Sequence, residues 1–119
     1  MTDTRKPELI EYPNGAKEWR LDGNLHRVDG PAIEYSDGTK YWFVDGKRHR
    51  IDGPAAEYPN GTKYWFVDGK RHRLDGPACE YPDGTKRWFI FGEKYVDKEL
   101  YDVTSSILLM LFPDLRSER

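Results

Sequence analysis

Four glutamates, Glu11, Glu34, Glu57 and Glu80, stand 23 residues apart, and the sequence around each is nearly the same. Each is followed by a tyrosine (Tyr12, Tyr35, Tyr58, Tyr81), then by an Asn-Gly or Asp-Gly pair, then by a tryptophan (Trp19, Trp42, Trp65, Trp88). Between them run His26-Arg27-Val28-Asp29-Gly30-Pro31-Ala32 and its copies from His49 and His72. A fixed period of this length implies one supersecondary unit stacked on copies of itself. Function in such an array is expected on an extended surface rather than in a single pocket.

The period divides the chain into an N-terminal tail at 1–10, four repeats at 11–33, 34–56, 57–79 and 80–96, and a C-terminal helical cap and tail at 97–119. Within a repeat the local chemistry is that of β-structure. Tyr41-Trp42-Phe43-Val44 is aromatic and β-branched. Asp45-Gly46 and the polar Lys47-Arg48-His49-Arg50 follow, and Pro54, which cannot donate to a ladder, marks the start of a return strand Ala55-Ala56-Glu57-Tyr58. Pro59-Asn60-Gly61 turns the chain into the next unit, since Asn-Gly and Asp-Gly supply the positive φ that tight hairpins need. Gly and Pro recur too often for helix. The expected fold is all-β: an elongated antiparallel meander of repeated β-hairpins, about seven or eight strands, with a short C-terminal helical segment.

Alternation along the strands sorts side chains onto two faces. Trp19/Leu21, Trp42/Val44, Trp65/Val67 and Trp88/Ile90 share one face and read as the structural stack. The other face carries Glu18/Arg20 in the first repeat, Tyr41/Phe43 and Tyr64/Phe66 in the middle, and Arg87/Phe89/Phe91 in the last. Its aromatic half is expected to be covered by something. Hydrophobic residues make up only 37% of the chain, while aromatics reach 14%, so a thin, aromatic core is expected.

The net charge of −2 and a pI near 5.9 argue against strong binding to nucleic acid or anionic membrane. Cys79 has no partner for an intramolecular disulfide and stands in the column of Ile33 and Ala56, so it reads as a small apolar filler. Met1 to Glu8 lacks an apolar signal-peptide core, and Ile107 to Phe112 is too short to cross a bilayer, so a soluble, cytoplasmic protein is expected.

Asp97-Lys98-Glu99-Leu100 resembles a helix start, and Leu100, Val103, Ile107, Leu108 and Leu111 follow helical spacing. Thr104-Ser105-Ser106 is a candidate break into two short helices, and Pro113 a stop. Ile107, Leu108, Leu111 and Phe112 are apolar all round. They serve either to cap the last repeat or cover the aromatic face, or to form a homodimer or partner interface.

The segment from Lys63 to Gly84 (Lys-Tyr-Trp-Phe-Val-Asp-Gly-Lys-Arg-His-Arg-Leu-Asp-Gly-Pro-Ala-Cys-Glu-Tyr-Pro-Asp-Gly) resembles the MORN repeat, in its period, its aromatic first strand and its Gly-Lys-Arg-His turn. The resemblance covers residues 11 to 95. The chain departs from MORN units in carrying Arg-x-Asp-Gly-Pro-Ala after the histidine, a form similar to repeat proteins of bacteriophages and large viruses. The resemblance implies a single-layer sheet that serves as scaffold, dimerisation element or adaptor, without catalytic residues or cofactors.

Histidines two strands apart lie roughly 9–10 Å from one another, too far to share one metal ion whose ligands stand about 2 Å away. His26, His49 and His72 therefore read as turn residues, and no metal is expected. Asp29, Asp52 and Asp75 read as turn caps that also pair with Arg27, Arg50 or Arg73. With the same His and Asp in every repeat and no regular nucleophile, no catalytic site is expected.

The sequence points to a non-enzymatic protein-binding module. Its candidate contact residues are Tyr41, Phe43, Tyr64 and Phe66, with Arg48, Arg50, Arg71 and Arg73 from the basic turns. From the viral resemblance, the partner is expected to be a host protein, occluded by the repeat face. The alternatives are a phosphate-reading module using the basic turns, and a structural dimer or assembly part.

Overall fold

A computed structural model of the chain describes residues 5–115. It is an open antiparallel meander with one C-terminal helix, spread into a slab of 47 × 42 × 19 Å. One sheet of ten strands runs from Glu8–Glu11 at one edge to Glu93–Tyr95 at the other.

Each repeat is two hairpins joined at the tryptophan. Ile33–Glu34 pairs with Lys40–Tyr41, and the turn between them is closed by Asp37 Oδ1 accepting from Thr39 N at 2.8 Å. The strand then meets a pivot. Trp42 N donates to Ala55 O, while Trp42 O accepts from His49 N, so the chain changes pairing partner at this residue. Beyond it Phe43–Val44 pairs with Lys47–Arg48 across Asp45-Gly46. Those two turn residues have φ of 52° and 79°, which is the demand of a type I′ turn and the reason for Asp-Gly there. The change of partner at Trp42 and Trp65 makes the strands shorter and more numerous than the seven or eight expected. The supposed basic turn is also different from the expectation, because Lys47–Arg48 and Lys70–Arg71 are return strands.

The tail expected at 1–10 already contains structure. Glu8–Glu11 pairs with Lys17–Leu21 as an edge strand, and Arg5 is bound to Asp22. Met1 to Thr4, and the last four residues of the expected C-terminal tail, lie outside the described residues.

The most deeply buried positions are small rather than aromatic. Ala32, Ala55, Ala56 and Ala78 are 0% exposed and Cys79 is 1% exposed, so each repeat meets the next through alanine and the tryptophans above them are only half-buried. Burial pushes the Cys79 thiol upward from its ordinary pKa.

Helix α1 spans Lys98–Leu111 without a break. Asp97 caps it by accepting from Glu99 N and Leu100 N. Thr104-Ser105-Ser106 does not divide it, since the Ser105 hydroxyl donates to Asp102 O within the helix. It docks on the tryptophan side of the last repeat, where Tyr101 joins Leu74 and Ile90 in a cluster flanked by Trp88, Tyr95, Leu108 and Leu109.

Candidate interaction faces

The two faces of the slab use arginine differently. On the tryptophan face, Arg27, Arg50 and Arg73 lie flat on Trp19, Trp42 and Trp65, each guanidinium 3.9–4.0 Å from a ring centroid. Each is then enclosed by its own loop. Arg50 Nε donates to Asp52 Oδ1 at 3.1 Å, and its NH1 reaches Pro54 O at 3.0 Å and Glu57 Oε2 at 3.4 Å. Arg27 and Arg73 repeat that pattern. A side chain at Gly53 would place its Cβ 2.8 Å from the Arg50 Cζ, so any other residue would have to push the guanidinium aside. This explains the Arg-x-Asp-Gly-Pro motif and the glutamate column together: they are parts of one clamp over the tryptophan.

On the opposite face Arg48 and Arg71 have no carboxylate within ion-pair distance among the described residues, and rings surround them instead. The Arg48 guanidinium stands 4.7 Å from Tyr41, 5.9 Å from Phe43 and 5.5 Å from Phe66. Arg71 stands 5.2 Å from Tyr64 and 5.6 Å from both Phe66 and Phe89. Beside them Tyr35, Tyr41, Tyr58, Tyr64 and Tyr81 form a ladder of edge-to-face contacts with centroids 5.7–6.0 Å apart. Burial, and next the neighbouring Tyr58 hydroxyl, push the Tyr41 phenol up to about 12. Tyr41, Phe43, Tyr64 and Phe66 thus meet Arg48 and Arg71 on one face, with Phe66 itself only 8% exposed. Arg50 and Arg73 do not join them; they belong to the clamps. The separating signal was present in the sequence, because of these four arginines only Arg50 and Arg73 have Asp two residues on and Gly three residues on.

The histidines staple neighbouring repeats. His26 Nδ1 accepts from Asp45 N, His49 Nδ1 from Asp68 N, and His72 Nδ1 from Phe91 N. Each bond crosses from one repeat to the turn of the next. Phe91 replaces the aspartate of the other turns at φ 46° and stacks on His72 with centroids 4.0 Å apart. Burial pushes the His72 imidazole below its ordinary 6.5. Among the described residues no three His, Cys, Asp or Glu side chains converge as a metal site would require, and no helix is long and apolar enough to cross a membrane.

The residues assigned to oligomerisation do not share one side of α1. Leu108 packs inward on the cluster, while Ile107, Leu111 and Phe112 are exposed. With Leu100, Val103 and Met110, exposed too, Ile107 and Leu111 form an outward apolar stripe.

Comparison with protein-family models, with curated proteins and with solved structures returned no match. The likeness to MORN repeats therefore rests on the residues of the repeat itself.

Proposed function

We propose that this chain is a non-enzymatic protein-binding module whose contact face is the tyrosine–phenylalanine side, centred on Arg48 and Arg71. The observation that carries this reading is that pair of half-buried cations, held by rings and matched by no carboxylate of the described residues. Tyr and Arg dominate the residues that anchor protein interfaces. A guanidinium already held among rings has lost much of its freedom, and the Arg71 Nε is buried without a hydrogen-bond partner among the described residues. The partner is accordingly an acidic protein surface with apolar side chains to lie along the tyrosine ladder. In keeping with the resemblance to phage and large-virus repeat proteins, we assign the role of occluding a host protein, a defence factor being the natural class.

The test is capture of a partner from cell lysate with identification by mass spectrometry, followed by Arg48→Glu/Arg71→Glu and Tyr41→Ser/Tyr64→Ser. Both double variants should lose the partner. Capture that survives both would move the contact elsewhere. Steeply salt-dependent binding of nucleic acid or phosphoinositide, lost in the same arginine variant, would replace the protein partner by a phosphate ligand.

A second reading has its own observation, the apolar stripe of α1, in which Val103, Ile107, Met110 and Leu111 are 46–71% exposed. Such a stripe suits self-association. Sedimentation equilibrium of the protein and of Ile107→Lys decides it, since a stripe-mediated dimer would dissociate in the variant.

A further inference from the structure

Helix α1 is held to the sheet by a polar notch that the repeat builds three times. The Tyr101 ring is 3% exposed and enters the bend Arg73-Leu74-Asp75-Gly76. Its hydroxyl lies 2.6 Å from Arg73 O and 2.7 Å from Gly76 O, which share its proton, and accepts from Gly76 N–H at 3.2 Å. One turn further on, the small Ser105 is buried, which lets the helix approach closely. Leu108 and Leu109 then complete the contact on Leu74, Trp88 and Ile90. The docked face thus reads Tyr, three residues, Ser, two residues, Leu-Leu.

The same bend stands one period earlier at Arg50-Ile51-Asp52-Gly53 and two periods earlier at Arg27-Val28-Asp29-Gly30. There the glycine N–H and the Arg and Gly carbonyls make no hydrogen bond with any described residue. The apolar residue of the bend tells the same story. Leu74, beneath α1, is 8% exposed, whereas Ile51 is 42% and Val28 80% exposed. A groove of about 770 Å³ runs beside the middle bend, and its lining includes Ile51, Gly53 and Val67 together with Leu109 of α1 and Leu115.

We propose that the bends at Gly53 and Gly30 are docking notches for an amphipathic helix of a partner protein, one that offers a tyrosine to the notch and small and leucine residues one and two turns later. The molecule's own helix is the template for that occupant, and the groove continues the surface on which it lies. One feature sets the notches apart from the occupied one. At Trp65 and Trp42 the ring is covered by Arg73 and Arg50, where Trp88 meets Lys98 of the helix at 5.9 Å. A docking helix should therefore carry a neutral or acidic residue at the place of Lys98, three positions before its tyrosine.

The probe is a synthetic peptide with the sequence 97–112 carrying Lys98→Glu, added to the isotopically labelled full chain. The amide signals of Gly53 and Gly30 should shift and saturate, while that of Gly76 stays in place. A peptide that also carries Tyr101→Phe should bind about tenfold more weakly, since it leaves the notch unfilled. In the chain, Ile51→Asp should remove the Gly53 response and leave that of Gly76 unmoved. The site lies on the face opposite Arg48 and Arg71, so Arg48→Glu should not affect peptide binding, and failure here is separable from failure of the proposed protein-binding face. The proposal is overturned by unmoved Gly53 and Gly30 amides at saturating peptide, or by equal affinity of the tyrosine and phenylalanine peptides. A shift confined to Gly76 would mean exchange with α1 and would also overturn it. Shifts that appear on concentrating the chain alone would make the occupant a second copy, against the proposal.

Discussion

The first three tryptophans and the last one are closed by different means. Trp19, Trp42 and Trp65 each lie under an arginine drawn from their own repeat and locked by an Asp, a Glu and a backbone carbonyl. At Trp88 that arginine is missing, because Val96 stands in its column and is exposed. Helix α1 closes the position instead, with Tyr101 6.2 Å from the indole and Leu108 and Leu109 alongside. Each clamp takes its Asp from its own repeat and its Glu from the next, so it can be copied wherever another repeat follows. A helical cap works once and ends the array. The contrast also sets apart two currencies of stability, partly exposed cation–π contact in the clamps and full apolar burial under the cap.

That contrast predicts a rank order. Tyr101→Ala should have the largest effect, about 3–5 kcal/mol, as for a large aromatic removed from a core. Trp42→Ala should cost less, about 2–3 kcal/mol, since its ring is only half-buried beneath Arg50. Chemical denaturation of the two variants measures both, and a larger loss for Trp42 would reverse the assignment of cap and clamp.

Next comes the clamp's internal geometry. Gly53→Ala should cost about 1–3 kcal/mol by forcing the Arg50 guanidinium off Trp42. In the background of Arg50→Ala the same change should cost at least about 1 kcal/mol less, because the crowded group is gone. A double-mutant cycle that comes out additive would break the clamp model.

The His72 staple is sensitive to acid. His72 receives the Phe91 N–H on an unprotonated Nδ1, and burial holds its pKa below the ordinary 6.5. The unfolded chain binds a proton there more readily than the folded one, so this contribution is complete above about pH 6.5 and is lost as pH falls through the lower native value. Melting temperature should fall on acidification, and His72→Asn, whose Oδ1 still accepts the bond, should flatten part of that slope. An unchanged slope would assign acid sensitivity to other groups.

The smallest effect is expected at Phe91. Its left-handed backbone costs about 1–2 kcal/mol for a residue of this kind, and its stacking on His72 returns about 0.5–1.5 kcal/mol. The midpoints of the two ranges differ by about 0.5 kcal/mol, so Phe91→Asn should change stability by about that much, a difference that denaturant midpoints resolve.

Much of this architecture was legible in the period alone. The Asp-Gly turns, the pairing of Asp29, Asp52 and Asp75 with the arginine two residues before, and the buried place of Cys79 follow from local chemistry and repeat columns. The division of labour between Arg48 and Arg50 follows from the Asp and Gly after Arg50 and not from strand periodicity. Strict alternation puts both on one face, but the ladder ends at Arg48, and the bend that follows turns Arg50 onto Trp42. The edge strand Glu8–Glu11 was hidden for another reason, since it lacks the repeat's aromatic signature and is set by pairing with Lys17–Leu21. The docking side of α1 depended on Tyr101, whose hydroxyl needs a bend assembled 25 residues earlier.

That edge strand has a consequence for growth of the array into fibres. A stack of identical hairpins is a template for end-to-end addition of further chains, and an open edge usually invites it. Here Glu8 and Glu11 bracket the free edge, so two such edges meeting antiparallel would set carboxylates against one another. At the other edge, Glu93–Tyr95, α1 packs against the last hairpin from the tryptophan side. Charge on the first edge strand therefore works against end-to-end addition at that edge of a module assembled by repetition.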